Sequence, residues 1–301
     1  MQVYTLPEQL NMLPTHPRAV ALGLFDGLHR GHRAVIDAAK QAGGVCSVLT
    51  FKPGSVDTKS DRRLLCTPAE QRVLLAACGV EELLEADFAA LRAVTPEEFV
   101  DKYLCRGLHA ATVTCGVNYR FGAGGAGDAA ALVRLCAARG IAVTVVPMVE
   151  IDGQAVSSTA IRHAIDTGDI PTAAHLLGRE ICLRLPVVEG QHLGRTLDMP
   201  TINQKLPSET VYPRFGVYAA TVEIDGRLYD GVTNIGTHPT VGETTPQAET
   251  WILGYSGDLY GKTVPVTLRR FLRQERKFDS VADLREQVSR DAAAVRKHDS
   301  F

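Results

Sequence analysis

From Arg18 to about Gly178 the chain alternates short apolar β-like runs with Ala/Leu-rich helical patterns, and after Gly178 that alternation stops. The runs AVALGLF, VCSVLTF, ATVTCGV and VTVVPMV are separated by HRAVIDAAKQAG, PAEQRVLLAACG, PEEFVDKYLCRGL and GDAAALVRLCAARG. Parallel strands need long crossovers, so this pattern predicts a doubly wound α/β domain. Gly43 and Gly140 stand where helix-ending glycines belong. Downstream, ICLRLPVVEG, VYAATVEI, RLYDGV, ETWILGY and TVPVTLRRFL are short β-rich runs, with Asp225-Gly226 suited to a hairpin turn. The final stretch returns to helical spacing, with Ser280 as N-cap and Val281, Leu284 and Val288 on its apolar face. The expectation is α/β at residues 1–180, then a small antiparallel β-barrel with a C-terminal helix at 181–301.

Charge narrows the partners. Of 301 residues, 32 are Lys or Arg and 34 Asp or Glu, a net charge of −2. Divided after Cys182, the balance is 17 − 19 = −2 for the first part and 15 − 15 = 0 for the second. Polyanion binding normally shows a basic excess, so no nucleic-acid partner is expected. Seven cysteines stand singly with no C-x-x-C pair, which reads as buried hydrophobes in a reducing compartment. The apolar runs fall short of the ~18 residues a membrane span needs, and the N-terminus lacks a signal pattern. A cytoplasmic protein with no membrane contact and no evident obligate protein partner is expected.

Two segments carry chemistry. GLFDGLHRGH, from Gly23 to His32, follows a buried run and opens a helix, the position where open α/β sheets bind ligands. Gly23, Gly27 and Gly31 permit close backbone approach. His29 and His32 are three apart, so both can face one anionic group beside the helix N-terminus. Zinc would need two further ligands, and none is adjacent. In the second segment, Ser157, Ser158 and Thr159 precede a helical run with Arg162 one turn inside, a forked phosphate donor. Read alone, the hydroxyls are an N-cap.

Two other matches are weaker. Gly122, Gly124 and Gly127, with Glu150 downstream, fit a dinucleotide fingerprint and an NAD(P)-dependent oxidoreductase. The run is nearly all Gly and Ala, and no hydride-transfer residues accompany it. Ser256 to Thr263 nearly fits a P-loop, but Ser256 replaces the first glycine and β-alternation flanks both sides; a hairpin turn is expected there.

The first two segments, in this order about 130 residues apart, resemble the adenylyltransferase half of bifunctional bacterial riboflavin kinase/FAD synthetases. Further motifs resemble the kinase half of that family: GRTLDMPTIN from Gly194 to Asn203, NIGTHPT from Asn234, AETWIL around Glu249, and LRQERKF around Arg273 and Glu275. The resemblance implies a Rossmann-like nucleotidyltransferase domain followed by a kinase barrel, with ATP, riboflavin and FMN as substrates and Mg²⁺ as cofactor. It implies that His29, His32 and Arg162 act on the ATP phosphates in adenylyl transfer, with Gly23, Phe25, Asp26, Gly27, Gly31, Asn118, Ser157, Ser158 and Thr159 around the nucleotide. In the kinase it implies Glu249 as catalytic base, Gly194, Thr201 and Asn203 at Mg²⁺–ATP with Thr201 and Asn203 as metal ligands, and Asn234, Arg273 and Glu275 at the flavin.

Several positions depart from the family pattern. Lys52-Pro53-Gly54-Ser55 replaces an acid and a histidine after Phe51, Asn118 stands for Asp, Asp198-Met199 for Gly-Phe, and Ile202 for Ala. These departures motivate a second reading, a flavin- or nucleotide-binding protein with one decayed site.

Overall fold

The structure is a computed structural model that describes residues 1–55, 63–190, 199–237 and 245–296. By its contacts the chain divides into two compact units, Met1–Ser158 and Thr159–Phe301.

The first unit is built on β1 (Gln2–Leu6), β2 (Arg18–Leu22), α1 (Arg30–Ala42), β3 (Val45–Phe51), α2 (Pro68–Ala77), β4 (Glu82–Ala86), β5 (Ala110–Gly116), α3 (Ala129–Ala137) and β6 (Ala142–Val146). The strands form one parallel sheet in the order β1-β4-β3-β2-β5-β6. The central strand β2 is buried along its whole length because both faces of the sheet are covered there. Val20 and Leu22 join one apolar cluster, while Ala19 and Ala21 of the same strand join the other. The chain leaves β2 toward β3 and later returns to the other side at β5, so the carboxyl ends of β2 and β5 form the topological switch point. Helix boundaries follow the sequence: Gly43 ends α1 at φ 79°, and Thr67 and Glu70 form a reciprocal capping box ahead of α2, with Pro68 in its first turn.

The helix Ser158–Thr167 (α4) is followed by α5 (Ile170–Leu177) and the strands β7 (Ile181–Pro186), β8 (Thr201–Lys205), β9 (Gly216–Ile224), β10 (Arg227–Thr237), β11 (Pro246–Ile252) and β12 (Thr263–Arg273), then α6 (Val281–Arg296). All pairings are antiparallel, in the order β7-β12-β9-β10-β11-β8. Just past β7, Val188 N–H donates to the Asn203 carbonyl of β8 at 2.8 Å, joining the two edges into a barrel. Asp225 and Gly226 both take positive φ, 49° and 76°, as a tight hairpin turn between β9 and β10 requires.

Two sequence expectations are corrected. Ser280 does cap α6, accepting from Asp283 N–H at 3.1 Å, but Val281 is exposed. Leu284 and Val288 are half-buried, and the face continues into the buried Asp291, Ala292 and Val295, the two apolar residues packing on Val217, Ala219 and Val232 of the barrel. The Ser256–Thr263 segment is no hairpin turn, because β11 and β12 are not neighbours; it is a crossing connection, and β12 rather than a helix follows it.

Candidate functional sites

The loop after β2 is tightly held and locally strained. Phe25, Gly27 and Leu28 all have positive φ, at 53°, 72° and 41°. Such conformations persist in non-glycine residues only where surrounding structure fixes them. Here the Phe25 and Leu28 side chains are fully buried, and a Cβ on Gly27 would lie 2.7 Å from Leu65. The Asp26 carboxylate accepts from Leu65 N–H at 2.8 Å, and the Asp26 carbonyl accepts from the Ser158 hydroxyl at 3.3 Å. That last bond joins the two segments singled out in the sequence across 132 residues of chain.

His29 is the N-cap of α1. Its Nδ1 accepts from His32 N–H at 3.3 Å, which puts the proton of the neutral ring on Nε2. The His32 ring stacks on it at 3.6 Å between centroids and 16° between planes, with the Phe25 ring 5.3 Å away on a tilt. Burial, and then the charge of His29, hold the His32 pKa well below the usual histidine range. Among the described residues, Nδ1 of His32 is buried without a hydrogen-bond partner. A Cβ at Gly31 would sit tightly, 3.2 Å from the His29 ring, with Val156 O at an ordinary 3.8 Å. Asn118 is exposed on the turn that follows β5, at the same sheet end. Gly23 continues β2, its N–H donating to Leu49 O at 3.3 Å. Ser157 precedes α4; Thr159 and Arg162 lie in its first turns, Thr159 exposed.

The dinucleotide alternative meets a physical obstacle. The N-terminus of α3, where a pyrophosphate would bind, is capped by the Asp128 carboxylate, which accepts from Ala131 N–H at 2.8 Å. A Cβ at Gly122 or Gly127 would lie 2.8 Å from Pro96 or 2.6 Å from the Phe121 ring, so those glycines serve close packing.

In the barrel, strand register gathers the second group. Asn203 pairs with Glu249, Glu249 with Asn234, Asn234 with Val217, and Val217 with Arg273, giving one row across five strands. Paired residues of neighbouring strands share a face. The Thr201 hydroxyl donates to Glu249 Oε1 at 2.8 Å. Asn234 Nδ2 donates to Glu275 Oε1 at 2.8 Å, and among the described residues Asn234 Oδ1 is buried with no partner. Arg273 is engaged by Asp291 of α6, donating at 2.8–3.2 Å to both carboxylate oxygens. Gly194 lies outside the described residues.

No role follows from the sequence for two glycines and one acid of this site, although Gly236 lies within NIGTHPT. A Cβ at Gly190 would lie 2.2 Å from Asn203 Nδ2, and one at Gly236 would lie 2.2 Å from Glu275 Oε1. Asp291, buried on α6, fixes Arg273. Among the described residues no cluster of three or more His, Cys, Asp or Glu could hold a metal, and no helix is long and apolar enough to cross a membrane.

An α/β unit with histidines at its switch point, followed by a barrel with a carboxylate among hydroxyl and amide groups, defines a two-module transferase that works on phosphates. Residues 13–160 match the FAD synthetase family and residues 177–298 the riboflavin kinase family. A bifunctional riboflavin kinase/FMN adenylyltransferase of Pseudomonas fluorescens is 36% identical over 298 residues, covering 95% of this chain and 94% of that protein. The protein of the same description from Escherichia coli K12 is 33% identical, covering 96% and 95%. A solved structure described as a macrolide-efflux protein from Streptococcus pneumoniae is similar with a TM-score of 0.87 at 30% identity, covering 98% of this chain and 99% of that one. The chain belongs to the bifunctional riboflavin kinase/FMN adenylyltransferase family.

Proposed function

We propose that the two reactions of the family are divided between the two residue groups. ATP and riboflavin give FMN at the Thr201–Glu249 row of the barrel, and ATP and FMN give FAD and pyrophosphate at the Gly23–His32 loop. The functional division at residues 1–180 and 181–301 is part of this reading, supported by family matches that end at 160 and begin at 177.

The two chemistries ask for different groups. The ribityl 5′-hydroxyl is a poor nucleophile and needs a base for its proton. Glu249 is that base: Thr201 donates to one of its oxygens, fixing the carboxylate in the row between Asn203 and Asn234. Because the Thr201 proton is committed to Glu249, its lone pairs remain to accept a cation. A hydroxyl and an amide oxygen, with no acidic cage among the described residues, suit Mg²⁺, which keeps phosphate oxygens and water as its other ligands. Gly190 keeps space beside Asn203 for this. Thr201 and Asn203 would hold the ion, which when bound neutralises phosphate charge. Asn234 and Glu275 face the flavin, with Arg273 as their neighbour.

In adenylyl transfer the nucleophile is the FMN phosphate, already charged near neutral pH because its second pKa is about 6. No base is required; neutralisation of charge on the α-phosphorus and departing pyrophosphate is. His29 Nε2–H and His32 supply hydrogen-bond donors beside the partial positive charge at the N-terminus of α1. Ser157, Ser158, Thr159 and Arg162 are assigned to the same triphosphate on their motif, and Asn118 to the nucleotide. We place the enzyme in the cytoplasm on its scattered single cysteines and short apolar runs, without membrane or obligate protein partners, and without nucleic-acid partners on the near-neutral charge of −2.

The observation that carries the adenylyl site is the Ser158–Asp26 bond, which ties the serine motif to the histidine loop. Purified protein with Mg²⁺–ATP and riboflavin, resolved by chromatography, tests the whole reading. FMN followed by FAD is expected. FMN without FAD would leave a kinase with a decayed adenylyl site, and neither product would refute the assignment.

A further inference from the structure

We infer that Thr50 and Gln71 are positioning residues for adenylyl transfer, acting through the carbonyl of Leu24; this rests on the reading that the Gly23–His32 loop is the adenylyl site.

Leu24 sits between Gly23 and the first left-handed residue of the loop, Phe25, so the plane of its carbonyl sets the direction in which the strained segment leaves β2. Two side chains from separate elements converge on that oxygen. The Thr50 hydroxyl, near the carboxyl end of β3, donates at 3.1 Å, and Gln71 Nε2, on α2, donates at 3.0 Å. Both donors stand on rigid supports. Thr50 is buried within the sheet, and Gln71 follows the capping box that fixes the start of α2. A left-handed Phe25 returns to an ordinary conformation unless its neighbours hold it. The Phe25 ring is the wall against His32, 5.3 Å away, and the His29–His32 stack begins four residues on. The clamp on Leu24 O is therefore upstream of the histidine geometry. Neither residue falls within a motif of the family resemblance, and neither needs to touch a substrate.

A bond to a neutral carbonyl contributes on the order of 1 kcal/mol, so loss of one donor should slow a step that depends on loop geometry by about 3- to 10-fold. The test uses the full chain as Thr50→Val, Gln71→Met, the double variant and Thr50→Ser, with His32→Ala as reference. FAD formation from supplied FMN gives kcat and KM, and FMN formation from riboflavin in the same preparation reports on fold. The expected result is a fall in kcat for FAD formation in each single variant and a larger fall in the double, with FMN formation unchanged. KM for FMN should stay within about twofold, and Thr50→Ser should restore the rate. Unchanged kcat in the double variant, no rescue by serine, or equal loss of both activities would overturn the inference. If His32→Ala itself leaves FAD formation intact, the underlying assignment of the site is what fails.

Discussion

His29 and His32 stack with ring centroids 3.6 Å apart, a distance at which two imidazolium ions would repel strongly. The buried His32 ring therefore stays neutral in the folded protein, its pKa depressed by burial and then by His29. In the unfolded chain it protonates near its ordinary value of about 6.5. The sign is fixed: stability is complete above that pH and is lost as pH falls below it, by up to about 1.4 kcal/mol per pH unit. Urea unfolding at pH 7.5 and 5.5 should show a smaller acid loss in His32→Asn than in the parent chain.

The Thr201–Glu249 bond makes a separate prediction for the barrel. A hydrogen bond to a charged group is worth about 1.5–3 kcal/mol, and Thr201→Val also deletes the oxygen proposed to hold Mg²⁺. FMN formation should fall by about 10- to 100-fold, while FAD formation from supplied FMN is untouched. Thr201→Ser should keep most of the rate in the same assay.

Gly236 allows Glu275 to approach Asn234. An added methyl would stand 2.2 Å from Glu275 Oε1 and push it off its 2.8 Å bond. Gly236→Ala should raise KM for riboflavin by about tenfold, with KM for ATP little changed. Steady-state kinetics with each substrate varied in turn checks it.

The course of the chain was legible where local pattern and burial agree. VCSVLTF is the strand Val45–Phe51, and HRAVIDAAKQAG falls on the helix Arg30–Ala42. The strand Glu82–Ala86 does not stand out as an apolar run because it carries two glutamates. In the fold they are buried and answered by arginines. Glu82 accepts from the fully buried Arg18 at 2.6 Å, and Glu85 from Arg72 at 2.9 Å. Such pairs are long-range and leave no local signature. The same reason explains the site. The histidine loop is contiguous and could be read, whereas Gly190, Gly236, Asp291, Thr50 and Gln71 matter only through partners brought in by tertiary packing.

Lys52, one of the departures from the family pattern, pairs with Glu8 at 3.2 Å, and Ser55 turns its hydroxyl onto Lys52 O at 2.8 Å. Residues 52–55 are thus held by contacts that the sequence alone did not suggest.

If two separate groups of residues divide the two reactions, paired substitutions abolish one reaction at a time. Glu249→Ala and His32→Ala proteins, each shown to be folded, are given Mg²⁺–ATP with riboflavin, and separately with FMN. Glu249→Ala should make no FMN yet convert supplied FMN to FAD, and His32→Ala should accumulate FMN without FAD. Loss of both activities in either folded variant would contradict the division.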